Sequence, residues 1–234
     1  MSDGGMWSGS LPVERTALYH ALGPTSSPWT ELWIVLHGYG QRAASFLRRF
    51  RRLDDGRRLI VAPEALSRFY VEASGRRHGP DDRVGASWMT RAEREDEIRD
   101  YVAYLDRVVE ELLSSAPTGE GPVLRVLGFS QGGHTAARWS VRGRWRPAQL
   151  VLWGSHLPPD LEPERASTRL AALDLVLVHG RSDPFRDEVL SRQEEETLER
   201  WGVSRRRLEH PGGHEIATPL LERISRETDA LPRR

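Results

Sequence analysis

A chain of 234 residues, 38% hydrophobic and 29% charged, is long enough for one domain with a sizeable buried core. Its 34 basic and 34 acidic residues cancel, so no global field draws it to nucleic acid. Cysteine, lysine and asparagine are absent, which excludes disulfides, thiolate nucleophiles, cysteine-held metals, lysine Schiff bases and phosphate-loop lysines.

Residues 1–12, MSDGGMWSGSLP, lack the basic and apolar regions of a secretory signal and are expected to be a flexible leader before one domain over 13–230. No apolar run approaches the ~18 residues of a membrane span, and a cysteine-free chain suits the cytoplasm. RTALYHAL (Arg15–Leu22) mixes polar and apolar residues as an edge strand does. ELWIVLHG (Glu31–Gly38) is a continuous apolar run ending at glycine, the pattern of a strand buried on both faces. A helix is expected over Gln41–Leu53, and the arginines of Phe46–Arg58 suit its solvated face. RLIVAP (Arg58–Pro63) is the next buried strand. Ser67–Met89 has no regular pattern and reads as a long loop, a kind of segment that often carries function.

The clearest helix runs over Thr90–Ser115. Ile98, Tyr101, Val102, Leu105, Val108, Val109 and Leu112 form one apolar stripe, and Thr90 with Glu93 has the spacing of a capping box. VLRVLG (Val123–Gly128), AQLVLWGS (Ala148–Ser155) and LDLVLVHG (Leu173–Gly180) are three more buried strands, and RRRLEH (Arg205–His210) is an edge. Helices are expected over Gln131–Arg142, Arg186–Trp201 and Thr218–Glu227. Alternating strands and helices with short links predict an α/β, doubly wound, mostly parallel sheet flanked by helices, with no large lid domain. Sites in such sheets lie beyond the carboxyl ends of the strands.

Those ends hold the residues that carry chemistry. Gly128-Phe129-Ser130-Gln131-Gly132 places a serine between a buried strand and a helix. A turn that tight holds the serine in a strained backbone conformation, and the flanking glycines make room for neighbouring chain. A serine hydroxyl needs a base, and with no lysine the base is histidine. His214, in the Pro211–Glu215 loop before the last helix, is the candidate among eight histidines. Asp183, just past a buried strand and stopped by Pro184, is the carboxylate to orient it, with Asp187 as runner-up. The backbone N–H groups of Gln131 and of Tyr39, in LHGYGQ (Leu36–Gln41), are candidate oxyanion donors. His37 more readily braces that loop than reacts. Trp88, with Met89 and Tyr70, is a candidate substrate wall, whereas Trp33, Trp139, Trp153 and Trp201 fit core positions.

LHGYGQ, LGFSQGG, WGSHLP, HGRSDP and GGHE together resemble, in order and spacing, the phospholipase/carboxylesterase family of α/β-hydrolases, which includes acyl-protein thioesterases. The resemblance runs from about Leu32 to Ile216. It implies an α/β-hydrolase fold and a serine esterase acting on small ester or thioester substrates without metal or cofactor. Ser130 is the implied nucleophile, Asp183 the acid, His214 the base, and Tyr39 and Gln131 the oxyanion hole. Tyr39 stands where an apolar residue is usual, Thr90 follows Trp88-Met89 where an acidic segment is common, and Arg68–Arg83 has no counterpart. Three other readings stay open: a metal hydrolase on His37, His179, Asp183 and His214; a non-catalytic hydrolase-like binding module; and acyl transfer to an alcohol through the same triad.

Overall fold

The apolar runs become the interior of a seven-stranded sheet. The computed structural model describes residues 7–24, 29–72, 78–114 and 121–227. In chain order the elements are β1 (Tyr19–Leu22), β2 (Glu31–Leu36), α1 (Ala43–Leu47), β3 (Arg58–Pro63), β4 (Ser67–Tyr70), β5 (Val84–Ser87), α2 (Arg94–Ser114), β6 (Val123–Phe129), α3 (Gln131–Arg142), β7 (Gln149–Trp153), α4 (Pro163–Ala171), β8 (Asp174–Gly180), α5 (Glu188–Arg200), β9 (Arg205–His210) and α6 (Thr218–Glu227). The sheet order is β1-β3-β2-β6-β7-β8-β9, with only β1 antiparallel to its neighbour. This is the α/β-hydrolase fold expected from the sequence.

Alternate strand residues feed two cores, as a period of two requires. Leu32, Ile34 and Leu36 face α2, α3 and α4, while Trp33 and Val35 face α1 and α6. Parallel register aligns Leu36 with Gly128, Phe129 with Trp153, and Trp153 with Val178, so the carboxyl ends of β2, β6, β7 and β8 share one edge.

Four local expectations change. The Ser67–Met89 loop contains an antiparallel pair, β4 with β5, which lies on the Leu36–Gln41 turn: Gly40 N–H donates to Ala86 O at 2.9 Å, and Ala86 N–H to Gln41 O at 3.0 Å. A Cβ on Gly85 would stand 2.5 Å from Gly40 O, so only glycine allows that approach. Only Ala43–Leu47 of the first expected helix is α-helical, and Arg48–Leu53 winds tighter as a 3-10 helix. The long helix begins at Arg94. The Thr90–Glu93 capping box is not formed, because Glu93 has φ 45°; Thr90 N–H donates instead to Glu97 Oε2 at 2.5 Å. Helix α4 was not expected. Glu162 caps it by accepting from Glu164 and Arg165 N–H, and Pro163 opens it. No helix among the described residues is long and apolar enough to cross a membrane.

Candidate active site

Ser130 joins β6 to α3 with φ 54° and ψ −121°, a conformation that L-residues rarely adopt and that crowds the neighbouring chain. A Cβ on Gly128 would lie 2.2 Å from Gly132 O, and one on Gly132 would lie 2.2 Å from Leu36 O. Those contacts explain the two glycines: β6, α3 and β2 meet at backbone distance. The Ser130 amide is fixed by Trp153 O at 2.9 Å, and the half-buried hydroxyl makes no hydrogen bond among the described residues.

His214 is held by the sheet rather than carried on a free loop. Ser182 N–H donates to Gly212 O at 3.1 Å, and Arg181 N–H to His210 O at 2.8 Å. A Cβ on Gly180 would stand 2.2 Å from Gly213 O, and the buried Trp153 indole donates to Glu215 O at 2.8 Å. The loop therefore lies flat over the end of β8. It places His214 Nδ1 2.7 Å from Asp183 Oδ2, with the Asp183 side chain only 2% exposed. Phe185 N–H occupies Asp183 Oδ1 at 2.9 Å, so both carboxylate oxygens are engaged. The imidazole sits between Phe129 and Phe185, with ring centroids 4.7 and 4.8 Å away, and above Gly154, where a Cβ would come within 3.0 Å of the ring. Asp187 is not placed for this role: it caps α5, accepting from Val189 and Leu190 N–H at 2.8 and 3.0 Å.

In the Leu36–Gln41 turn, Gly38 N–H donates to Gln41 Oε1 at 2.9 Å and Gly40 N–H to Ala86 O. The Tyr39 amide between them has no partner among the described residues. The Gln131 amide opens α3, where first-turn N–H groups lack intrahelical acceptors. The Gln131 side chain grips the hairpin, accepting from Trp88 N–H at 3.0 Å and donating to Met89 O at 2.8 Å.

His37 is buried and bonded on both nitrogens, to Gly38 O at 2.8 Å and to Ala65 N–H at 3.1 Å. Burial holds its pKa below the ordinary histidine value, so it stays neutral as a brace. The histidine–aspartate set of the metal alternative does not assemble. Among the described residues the one grouping able to hold a metal is His156, His179 and Glu194.

The expected substrate wall is revised. Trp88 is only 2% exposed, and its indole donates to His37 O at 2.8 Å, so it supports the turn from beneath. Met89 is half-buried beside Gln131 and packs against the core below α3. Tyr70 stacks on His78 at 3.9 Å, at the end of the hairpin away from Ser87. The exposed aromatic rings nearer the site are Tyr39, tilted against Phe69 with centroids 5.1 Å apart, and Phe185. Phe185 had a signal in the sequence, an apolar side chain in a polar turn directly after Asp183-Pro184.

The sequence profile described as phospholipase/carboxylesterase matches residues 20–230. The chain belongs to the phospholipase/carboxylesterase family. That membership makes ester hydrolysis its class of chemistry. No curated protein matches it. Among solved structures, the esterase PE8 superposes with a TM-score of 0.67 at 21% identity, covering 93% of this chain and 100% of that one. A carboxylesterase from Mesorhizobium loti gives 0.69 at 18%, covering 92% and 95%. Zea mays acyl-protein thioesterase 2 gives 0.65 at 18%, covering 92% and 99%. At these identities the likeness is one of fold. The phospholipase/carboxylesterase match spans every strand from the second residue of β1 to β9, and with them Ser130, Asp183 and His214.

Proposed function

We propose that the protein is a serine hydrolase that cleaves carboxylic esters, and thioesters by the same route, through an acyl-serine intermediate. The observation that carries this reading is the 2.7 Å His214–Asp183 hydrogen bond at the sheet edge where Ser130 is held at φ 54°. Asp183 fixes the tautomer with the proton on Nδ1, leaving Nε2 to take the Ser130 proton. The alkoxide adds to the substrate carbonyl, and the oxyanion that forms is met by the Tyr39 and Gln131 amides. Collapse breaks the bond to the leaving group, which receives the proton from His214. Water then enters, gives its proton to Nε2, and attacks the acyl-serine; the second collapse frees the acid and restores Ser130. A preorganised amide donor of this kind contributes about 3–4 kcal/mol to barrier lowering.

The test is fluorophosphonate labelling of the purified chain together with turnover of nitrophenyl esters of graded chain length. Labelling is expected at Ser130, with loss of both labelling and turnover in Ser130→Ala. A chain that resists the probe while folded, or a Ser130→Ala variant with undiminished turnover, overturns the assignment. Adding alcohols to the same assay separates hydrolysis from acyl transfer by product.

A further inference from the structure

Outside the candidate active site, one grouping among the described residues brings together side chains of the metal-ligand type. His156 lies just past β7, after Gly154-Ser155, His179 is the second-last residue of β8, and Glu194 lies in the middle of α5. One ligand atom from each lies within 4.8 Å of the others, and the two imidazole centroids are 4.9 Å apart. His179 and Glu194 are 7% and 6% exposed, and the His156 side chain 12%. Neither His156 nitrogen has a hydrogen-bond partner, nor does His179 Nε2. Buried ring nitrogens are rarely left this way. His156 Nδ1 stands 3.6 Å from Glu194 Oε2, longer than a hydrogen bond.

The carboxylate, by contrast, is held in place. Leu157 N–H donates to Glu194 Oε1 at 2.7 Å, and Arg207 Nη2 to Oε2 at 3.1 Å. Arg207 also pairs with Glu195 at 2.5 Å and its side chain is 34% exposed, so its opposition to a cation is shared and screened. Two imidazoles with unpartnered nitrogens facing an oriented carboxylate are the donor set of a zinc-type ion, whose ligand atoms sit roughly 3.4 Å apart in a tetrahedral site. The 3.6 Å pair is close to that spacing already.

We propose that His156, His179 and Glu194 bind a divalent transition-metal ion, zinc by preference, with a water in the fourth position. The ion ties α5 to the carboxyl ends of β7 and β8. It takes no part in ester cleavage and is separate from His214 and Asp183.

The test titrates zinc chloride into the chelator-stripped full chain by calorimetry, with melting temperature followed in parallel. One zinc per chain is expected, with melting raised by roughly 5–10 °C at a hundredfold excess over Kd. His156→Gln and Glu194→Gln should each abolish both effects, and fluorophosphonate labelling at Ser130 checks that each variant is folded. Should a variant not fold, cobalt substitution of the unaltered chain decides: a four-coordinate visible spectrum supports the site, and an octahedral one overturns it. Absence of saturable uptake overturns it too, because a bridging water would satisfy the same atoms without binding zinc. Uptake unchanged in both folded variants places zinc elsewhere and is equally fatal.

Discussion

Two histidine–carboxylate groups sit at the carboxyl edge of the same sheet, and they are wired differently. At His214 the carboxylate is occupied on both oxygens, by an imidazole at 2.7 Å and by the Phe185 amide at 2.9 Å. At Glu194 the carboxylate is again held by an amide, yet the facing His156 stands off at 3.6 Å and its ring nitrogens lack partners. The first arrangement fixes one nitrogen so that the other is defined for proton transfer. The second leaves one nitrogen from each of two imidazoles within 4.8 Å of a carboxylate oxygen, the arrangement proposed above to hold an ion. Residue type and a backbone amide on the carboxylate, which the two groups share, therefore do not separate them; the distance at which the imidazole meets the carboxylate does.

Asp183→Asn tests the first wiring most severely. The amide keeps the shape but no longer selects the Nδ1–H tautomer, so turnover of a nitrophenyl ester is expected to fall about 10⁴-fold with little change in KM. A loss below about tenfold would show that the His214 ring is oriented by Phe129, Phe185 and the loop backbone alone.

The helix that carries Ser130 at its start is anchored from the other side, by Arg138 on Asp160. Their contacts span 2.8–3.1 Å, and Arg94 and Arg142 add to the same carboxylate. Burial alone would raise the Asp160 pKa, but the Arg138 hydrogen bonds and charge outweigh it and bring it from 3.8 to about 2. A folded pKa below the unfolded one stabilises above the unfolded value and is lost as pH falls through the folded value. Asp160→Asn is thus expected to cost about 1–2 kcal/mol near pH 7 by urea unfolding, less than the full charge difference because solvent screens a partly exposed carboxylate. The difference from the parent chain should shrink between about pH 4 and pH 2. A cost independent of pH across that window would assign the effect to packing rather than charge.

Much of this was readable in the sequence because it rests on local patterns. Short unbroken apolar runs that end at Gly, Pro or Ser suit strands buried on both faces, and the glycines around Ser130 are demanded by backbone contacts between that turn, α3 and β2. The features missed depend on partners far away in sequence. Ser67–Tyr70 is too short to show alternation clearly, and its pairing is supported by contact between Gly85 and Gly40. Helix α4 buries only Ala166, Arg169 and Leu170, too few for a visible stripe, so Glu162-Pro163 was its one signal. Trp88 looked like a pocket wall because it ends a loop, but its indole found His37 O across the fold. His214 was picked out by its loop; what pins that loop, Trp153 on the neighbouring strand, has no signature in the spacing.

Trp153→Phe isolates that pin. It keeps an aromatic ring in the core, smaller than the indole, and removes the donor to Glu215 O, so the lost partner of a part-buried carbonyl and the cavity together cost about 2–4 kcal/mol. Turnover should fall several-fold as His214 samples more positions, with the fall seen in kcat rather than KM. Unchanged kcat with reduced stability would mean that Gly180 and Ser182 hold the loop by themselves.

The smallest effect comes from the other aspartate of the same turn. Asp187 lies four residues past Asp183, and sequence alone left it as the alternative partner for His214. Its Oδ1 instead receives Val189 and Leu190 N–H at the start of α5. Asp187→Ala removes a helix cap and is expected to cost about 1 kcal/mol in thermal or urea unfolding. Because no proton of the proposed reaction passes near a cap, kcat and KM should stay within about twofold of the parent, against the 10⁴-fold loss for Asp183→Asn. α5 also carries Glu194, so the same variant probes the second cluster: a frayed first turn leaves Glu194, two turns further along, bound to Leu157 N–H. Zinc uptake should then survive Asp187→Ala and vanish in Glu194→Gln. Were Asp187→Ala to lower kcat as far as Asp183→Asn does, the two carboxylates would have to exchange roles, and the division of labour argued from their hydrogen bonds would fail.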